Sequence, residues 1–420
     1  MGHSHGHSHA HRHGPSKIGA ARGPATVLLG FLALTALVTV VAVVALWPDA
    51  GKVQALRDKA QFAAPGVTFV KADVTSVQKP CKDDADAQAS GSGATPTCGT
   101  IAATVQSGPD AGDVKTVGVP TAVARSGLGR GDTVRLIRVP GEDGAAASYS
   151  FDDVVRVTSL WVLWIAFVVV VALVARLRGI LALISLGFGG YVLLKFMLPA
   201  LLSGSDGMAV SLAGSAAIMF VVLYLAHGPT VRTSAALAGT LLGVGVTAAI
   251  GQLAIGGAHL SGFADESSAL LSSFAGSLSF QGIFTCALVV AGLGVLNDVT
   301  ITQASAVWEL REAGPELSRR ALFTSAMRIG RDHIASTIYT IVFAYAGSAL
   351  AVLLLLSLYD RPIFELLSTE SISEEIVRTL ASGIGLVLAV PITTAIAAVT
   401  VVGPTATGRH PSTGRAARSR

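Results

Sequence analysis

Charge is scarce in this chain. Only 13% of its 420 residues are Asp, Glu, Lys or Arg, about half are hydrophobic, and the mean hydropathy is +0.63. So few charges cannot cover a water-facing surface, and several apolar runs reach twenty residues, which reads as a polytopic membrane protein. Catalytic signatures are missing too. There is no P-loop, no GxSxG, no HExxH, and no cytoplasmic segment long enough for an ATPase domain. An enzyme is therefore not expected, and energy for any transport would come from an ion gradient or a partner. The net charge of +4 is spread over loops rather than gathered on one face, which argues against nucleic acid. Lysine is rare beside Arg, Ala, Gly and Val, a composition that suggests a high-GC bacterium.

Cysteine is equally sparse. Of three, Cys81 and Cys98 flank a polar insert and Cys286 lies in an apolar run. In an exported loop the first two readily form a disulfide, closing a hairpin of about seventeen residues and contributing roughly 3 kcal/mol. Zinc held by two lone thiols is the weaker alternative. The first apolar segment lacks a cleavage pattern and reads as a retained span.

Hydropathy predicts eight transmembrane helices: 26–47, 159–175, 180–198, 208–226, 234–257, 283–308, 334–358 and 376–402. The implied organisation is a His-rich cytoplasmic tail (1–25), the first span (26–47), and a polar domain (48–157). A seven-helix bundle (158–402) with an amphipathic connector (315–329) follows, then a basic tail (403–420). Arginines and lysines fall in alternate loops: Arg12, Lys17 and Arg22, then Arg176 and Arg178, Arg232, then Arg311 to Arg331, then Arg409 to Arg420. The opposite loops are acidic, with Asp206, then Asp265 and Glu266, then Asp360, Glu365, Glu370, Glu374 and Glu375 against Arg361. The positive-inside rule then puts both termini in the cytoplasm, at a bacterial inner membrane. Residues 48–157 face outward. Their alternating segments, VTFVKADVTSVQ, TIAATVQS, DVKTVGVP and DTVRLIRV, with Gly-rich turns at 108–110 and 127–132, predict a small all-β extracytoplasmic domain, barrel or OB-like.

The sixth span holds the sharpest functional clue. The apolar run from Ile283 to Leu296 covers roughly 21 Å, less than a hydrocarbon core of about 30 Å. The span must therefore continue through Asn297-Asp298 to Trp308, placing Asp298 roughly 15 Å from the interface. A carboxylate there costs a few kcal/mol at least and usually faces a bundle interior or an ion path. Asp298, Thr302, Ser305 and Glu309 share one helix face. The functional reading is ion coupling, with desolvation raising the Asp298 pKa so that it exchanges a proton. Two bland readings compete: a static bond locking two helices, and Asn297-Asp298 as the N-cap of a cytoplasmic helix.

The seventh span opens with Arg328, Arg331, Asp332 and His333, followed by Ser336, Thr337 and Thr340. Its hydroxyls present a polar face to the sixth span, Arg331 is a partner for Glu309, and His333 is placed to pass protons. Interfacial snorkelling explains the arginines equally well. In the fifth span Gly239 and Gly243 form a GxxxG pattern extended by Gly245 and Gly251, which predicts close helix packing. At the N-terminus His3, His5, His7, His9, His11 and His13 alternate. Such a tract gathers Zn²⁺, Ni²⁺ or Cu²⁺, or is only a low-complexity tail. No cofactor is otherwise required.

The runs GLGVLNDVTITQASAVWELREAGP (292–315), AMRIGRDHIASTIYTIVFAYAG (326–347), EEIVRTLASGIGLVLAVPITT (374–394) and MFVVLYLAHGPTVRTSAAL (219–237) resemble YibE/F-like bacterial membrane proteins. That resemblance implies an eight-span inner-membrane protein with an extracytoplasmic domain, and supplies no substrate. A more local likeness is to the SecF half of the SecD/SecF motor and its RND relatives. It implies that Asp298 is the proton-responsive position and Arg331 its neighbour. The expected function is an ion- or proton-coupled transporter or export-assisting protein whose partners are the lipid bilayer and a protein or substrate at the β domain. The alternative is a non-transporting scaffold or regulatory subunit whose outer domain binds a ligand or partner.

Overall fold

The computed structural model describes residues 19–59, 66–78, 99–141, 146–264, 266–276, 278–358 and 362–404. The six tail histidines, His3 to His13, and the pair Cys81 and Cys98 lie outside the described residues. In chain order the elements are α1 (Arg22–Ala45), α2 (Ala50–Lys59), β1 (Thr68–Gln78), β2 (Thr100–Val105), β3 (Val114–Gly118), α3 (Thr121–Arg125), β4 (Thr133–Val139) and β5 (Ser148–Val154). The helices α4 (Val157–Val192), α5 (Leu198–Leu202), α6 (Gly207–His227), α7 (Val231–Gly257), α8 (Glu266–Phe274) and α9 (Phe280–Ala313) follow. The last four are α10 (Arg319–Ser348), α11 (Leu350–Ser357), α12 (Ile363–Leu367) and α13 (Glu370–Thr400). The chain forms two compact units, Arg57–Val174 on one hand and Met1–Leu56 with Ala175–Arg420 on the other.

The smaller unit is a curled antiparallel sheet of order β3-β2-β1-β4-β5. β1 is central because its alternation supplies Val70, Ala72 and Val74 to one face. These meet Ile101, Ala103 and Val105 of β2 and Val134 and Leu136 of β4 in one core. β3 also approaches β5, so the sheet bends toward closure. The expected turns are present, with Gly108, Gly112, Gly127 and Gly131 all at positive φ. Asp110 in the β2–β3 turn accepts from Arg138 Nε at 2.8 Å and from the Tyr149 hydroxyl at 2.5 Å, pinning that turn to β4 and β5. The Tyr149 hydroxyl first, and the Arg138 guanidinium second, hold the Asp110 carboxyl below its ordinary pKa. A depressed carboxylate contributes stability above its unfolded pKa, near 3.9, and loses it as pH falls through the lower folded value. Asp110→Asn should therefore flatten the acid limb of a β-unit unfolding titration below about pH 4. Circular dichroism of wild type and variant between pH 6 and 2 measures it; parallel acid limbs would contradict it.

Among the described residues, six helices are long and apolar enough to cross a membrane, or seven if α10 and α11, bent by 65° at their junction, count as one span. Five of the eight predicted spans map one-to-one onto α1, α6, α7, α9 and α13, and the seventh onto the bent pair. The second and third fall in one run, Val157–Leu202. Arg176, at φ 54° and ψ −137°, is the single non-helical residue within it. The connector placed at 315–329 is for the most part the first three turns of α10 rather than a separate helix.

Helix starts follow local chemistry. Asp206, Thr230, Ser279 and Ser318 each accept from the backbone N–H three residues on, capping α6, α7, α9 and α10. Arg311, counted above among the loop arginines, is buried; its guanidinium donates to the carbonyls of Pro315 and Leu317 at 3.1 and 2.7 Å and closes the α9–α10 turn.

Candidate functional site

The bundle centre is the contact of α7, α9 and α13, and glycines set its spacing. A Cβ on Gly239 would lie 2.9 Å from Thr393 Cβ, one on Gly385 3.0 Å from Thr247 Cβ, and one on Gly292 3.2 Å from Ser382 Oγ. Gly243 and Gly251 meet Leu296 and Leu288 at 3.0 Å in the same way. The GxxxG expectation thus holds for Gly239, Gly243 and Gly251. Gly245 has open space beside it.

Polar side chains run through this contact. Thr240 and Thr300 share a hydrogen bond of 2.6 Å between α7 and α9. Gln303, fully buried, donates to Thr394 Oγ1 at 2.8 Å and to the Ala326 carbonyl at 2.9 Å, joining α9 to α13 and α10. Along α13, Arg378, Ser382, Gly385, Ala389 and Thr393 recur every three or four residues and so share one face. In its first turns, Arg378 donates to Glu375 at 2.9 Å and lies 5.4 Å from the Phe284 ring centroid, and the neighbouring Glu374 is buried. Pro391, two residues before Thr393, lacks the N–H that would bond the carbonyl one turn back, loosening the ladder there.

Hydroxyl direction distinguishes this seam from ordinary packing. A membrane-helix Ser or Thr usually satisfies itself on the carbonyl four residues back. Thr240, Thr285, Thr394 and Thr400 do so, at 3.0, 2.8, 2.7 and 2.7 Å. Thr247, Ser382 and Thr393 do not. Their buried oxygens have no hydrogen-bond partner among the described residues, nor does the Asn297 Oδ1. Three of these four groups face the glycine notch of a neighbouring helix. A buried polar group left unmatched costs about 1–3 kcal/mol.

The residues singled out from sequence are placed differently. Asp298 is exposed on the outer face of α9, together with Glu309, and Thr302 and Ser305 are half-buried beside them. The predicted stripe is real as a stripe, and it points away from the seam. Thr302 donates to the Asp298 backbone carbonyl at 2.8 Å, and among the described residues the Asp298 carboxylate has no hydrogen bond or ion pair. The capping reading of Asn297-Asp298 fails, because α9 runs unbroken through both and is capped at Ser279. Arg331 is exposed and is not ion-paired to Glu309 among the described residues. His333 is half-buried, and its carbonyl accepts from Thr337 at 2.7 Å. Thr340 donates to the Ser336 carbonyl at 3.2 Å, so the seventh-span hydroxyls are spent within α10. Sequence reasoning missed Thr247, Gln303, Ser382 and Thr393. The repeat of small and hydroxyl residues along 378–393 was the signal available for two of them. No cluster of three His, Cys, Asp or Glu side chains suited to a metal occurs among the described residues.

A family model described as YibE/F-like protein matches residues 163–403, more than half of the chain and all of α6 to α13. Neither the curated proteins nor the solved structures contain a match.

Proposed function

Because this chain belongs to the YibE/F-like family, we propose that it is an ion-coupled, specifically proton-coupled, transporter or export-assisting protein of a bacterial inner membrane. The observation that carries this reading is the set of oxygens on Thr247, Ser382, Thr393 and Asn297. They are buried between α7, α9 and α13 and turned from their own helices. Such groups are costly in a membrane interior and are kept where water, a proton or a cation uses them. In this reading eight segments cross the bilayer with both termini cytoplasmic, the run Val157–Leu202 crossing twice around Arg176. The β unit lies outside. Its strand order, with β1 between β2 and β4 and β3 approaching β5, supports an OB-like barrel for docking a substrate or partner.

Asp298 is the proton-responsive group, with Asn297 on the seam side of the same turn and Thr302 and Ser305 beside it. Arg331, His333, Thr337 and Thr340 line the inner approach. No cofactor and no enzymatic step are needed, and the six tail histidines, His3 to His13, would collect Zn²⁺, Ni²⁺ or Cu²⁺ at the cytoplasmic side. The test is full-length protein in vesicles enclosing a pH-sensitive dye under an imposed proton gradient. Wild type should collapse the gradient, and Asp298→Asn should leave it as in empty vesicles while the protein remains inserted. Wild type indistinguishable from empty vesicles would remove the proposal.

A second reading rests on the exposure of Asp298. A carboxylate on the outer face of α9 suits a scaffold or regulatory subunit whose partner helix covers it. In that case Asp298→Asn changes what co-purifies and leaves no flux to lose.

A further inference from the structure

An apolar groove of about 710 Å³ opens on the flank of the bundle between α1, α7 and α13. Val27 and Phe31 form one wall, Ala238 and Leu242 the floor, and Ala395 and Val399 the other wall. Thr400 is the single polar lining residue, and its hydroxyl is already bonded to the Ile396 carbonyl. A polar solute finds nothing to bond there.

Backbone ties flank the groove at its Pro24 end. The Ala21 N–H donates to the Thr400 carbonyl at 2.8 Å and the Val402 N–H to the Gly19 carbonyl at 3.1 Å, forming a short antiparallel bridge, Ala20 with Val401. This knots the start of α1 to the end of α13. α1 packs more on α6 than on α7 or α13, and the groove opens between it and those two helices. The chain segments that supply this end of the groove are basic in sequence. The segments 19–26, 227–238 and 391–404 carry Arg22 and Arg232 and not one Asp or Glu. Arg22 is exposed, one turn ahead of the groove.

We propose that this groove seats an acyl chain of an anionic phospholipid of the inner leaflet, whose phosphate is held by Arg22 and Arg232. The inference rests on the membrane location and on the orientation assigned from charge bias, and does not require transport. The two halves of the ligand match two halves of the site. The tail meets ten lining residues whose exposed surface is almost wholly apolar, and the headgroup is offered two guanidiniums from chain segments beside the groove that carry no carboxylate of their own.

The test is titration of purified full-length protein in detergent with dioleoylphosphatidylglycerol or dioleoylphosphatidylcholine, bound lipid being counted by native mass spectrometry. Phosphatidylglycerol should bind more tightly, by about fivefold for each arginine at headgroup level. Arg22→Gln combined with Arg232→Gln should bring it to the phosphatidylcholine level. Ala395→Trp, which puts a ring into the open groove, should lose both lipids with an unchanged melting temperature. Should that variant not fold, Val27→Trp does the same from a highly exposed α1 position. Equal binding of the two lipids to wild type, or unchanged binding to the tryptophan variant, overturns the proposal. So does a Val27→Cys cross-link between two copies that Ala395→Trp abolishes, since a second chain then fills the groove. Loss of proton flux with lipid binding intact counts against transport alone.

Discussion

Gly207→Ala is expected to destabilise the protein by about 3 kcal/mol, the upper range for forcing volume into a packed site. Gly207 is buried at the first turn of α6, and an added Cβ would lie 2.5 Å from the Gly282 Cα, with the Gly282 carbonyl nearer still. Both contacts are backbone, so no rotamer relieves them, and α6 and α9 must move apart. Small residues matter here because helices in lipid gain little from apolar burial and rely on close contact. Gly245→Ala and Gly294→Ala are the controls. Nothing lies within 4 Å of a Cβ at either position. Each should be neutral or stabilising by about 0.5–1 kcal/mol, through helix propensity. Thermal denaturation in one detergent measures all three. A Gly207→Ala protein that melts with the controls would refute the close α6–α9 approach.

The second large effect separates function from stability. Thr247→Val, Ser382→Ala and Thr393→Val delete three buried oxygens that have no partner among the described residues. Removing an unmatched buried hydroxyl relieves a desolvation cost, so the triple variant should melt at or above the wild-type temperature, by up to about 1–3 kcal/mol per site. If the seam carries protons or an ion, the same variant should reduce vesicle flux to background. A stable variant with normal flux would show the seam to be packing and nothing more. A destabilised one would show that these hydroxyls lock the helices, the structural reading first raised for Asp298. Arg378 and Glu375 should be left intact in this experiment. Truncating one partner of a largely covered ion pair strands the other and confounds stability with function.

Asp298 and Thr247 show what a linear reading can see. Asp298 stood out because a carboxylate inside an apolar run is unusual in composition, and the stripe it forms with Thr302, Ser305 and Glu309 follows from helical period alone. Which way that stripe faces depends on the neighbours of α9, which cover Thr300, Gln303 and Val307 and leave Asp298 and Glu309 exposed. Thr247 is inconspicuous in a run of Val, Thr, Ala and Gly. It becomes notable only because Gly385 of α13, far along the chain, removes the side chain that would otherwise stand against it. Gly239 and Gly243 were legible as a packing face since small residues at one-turn spacing serve few other ends.

What the sequence determined is what depends on composition and short periods. The membrane character comes from apolar runs long enough for a bilayer. α6, α7, α9 and α10 take their starts from Ser, Thr and Asp caps, and the β unit comes from strand alternation and glycine turns. Only the tertiary structure decided which helices meet and what lies between them. It joined the predicted second and third spans into one run interrupted at Arg176. It also buried Arg311, turned Asp298 outward, and gathered Thr247, Ser382, Thr393 and Asn297 at the centre. Those outcomes rest on contacts between residues far apart in the chain. Such contacts depend on the space left by a facing glycine, and no local pattern records that space.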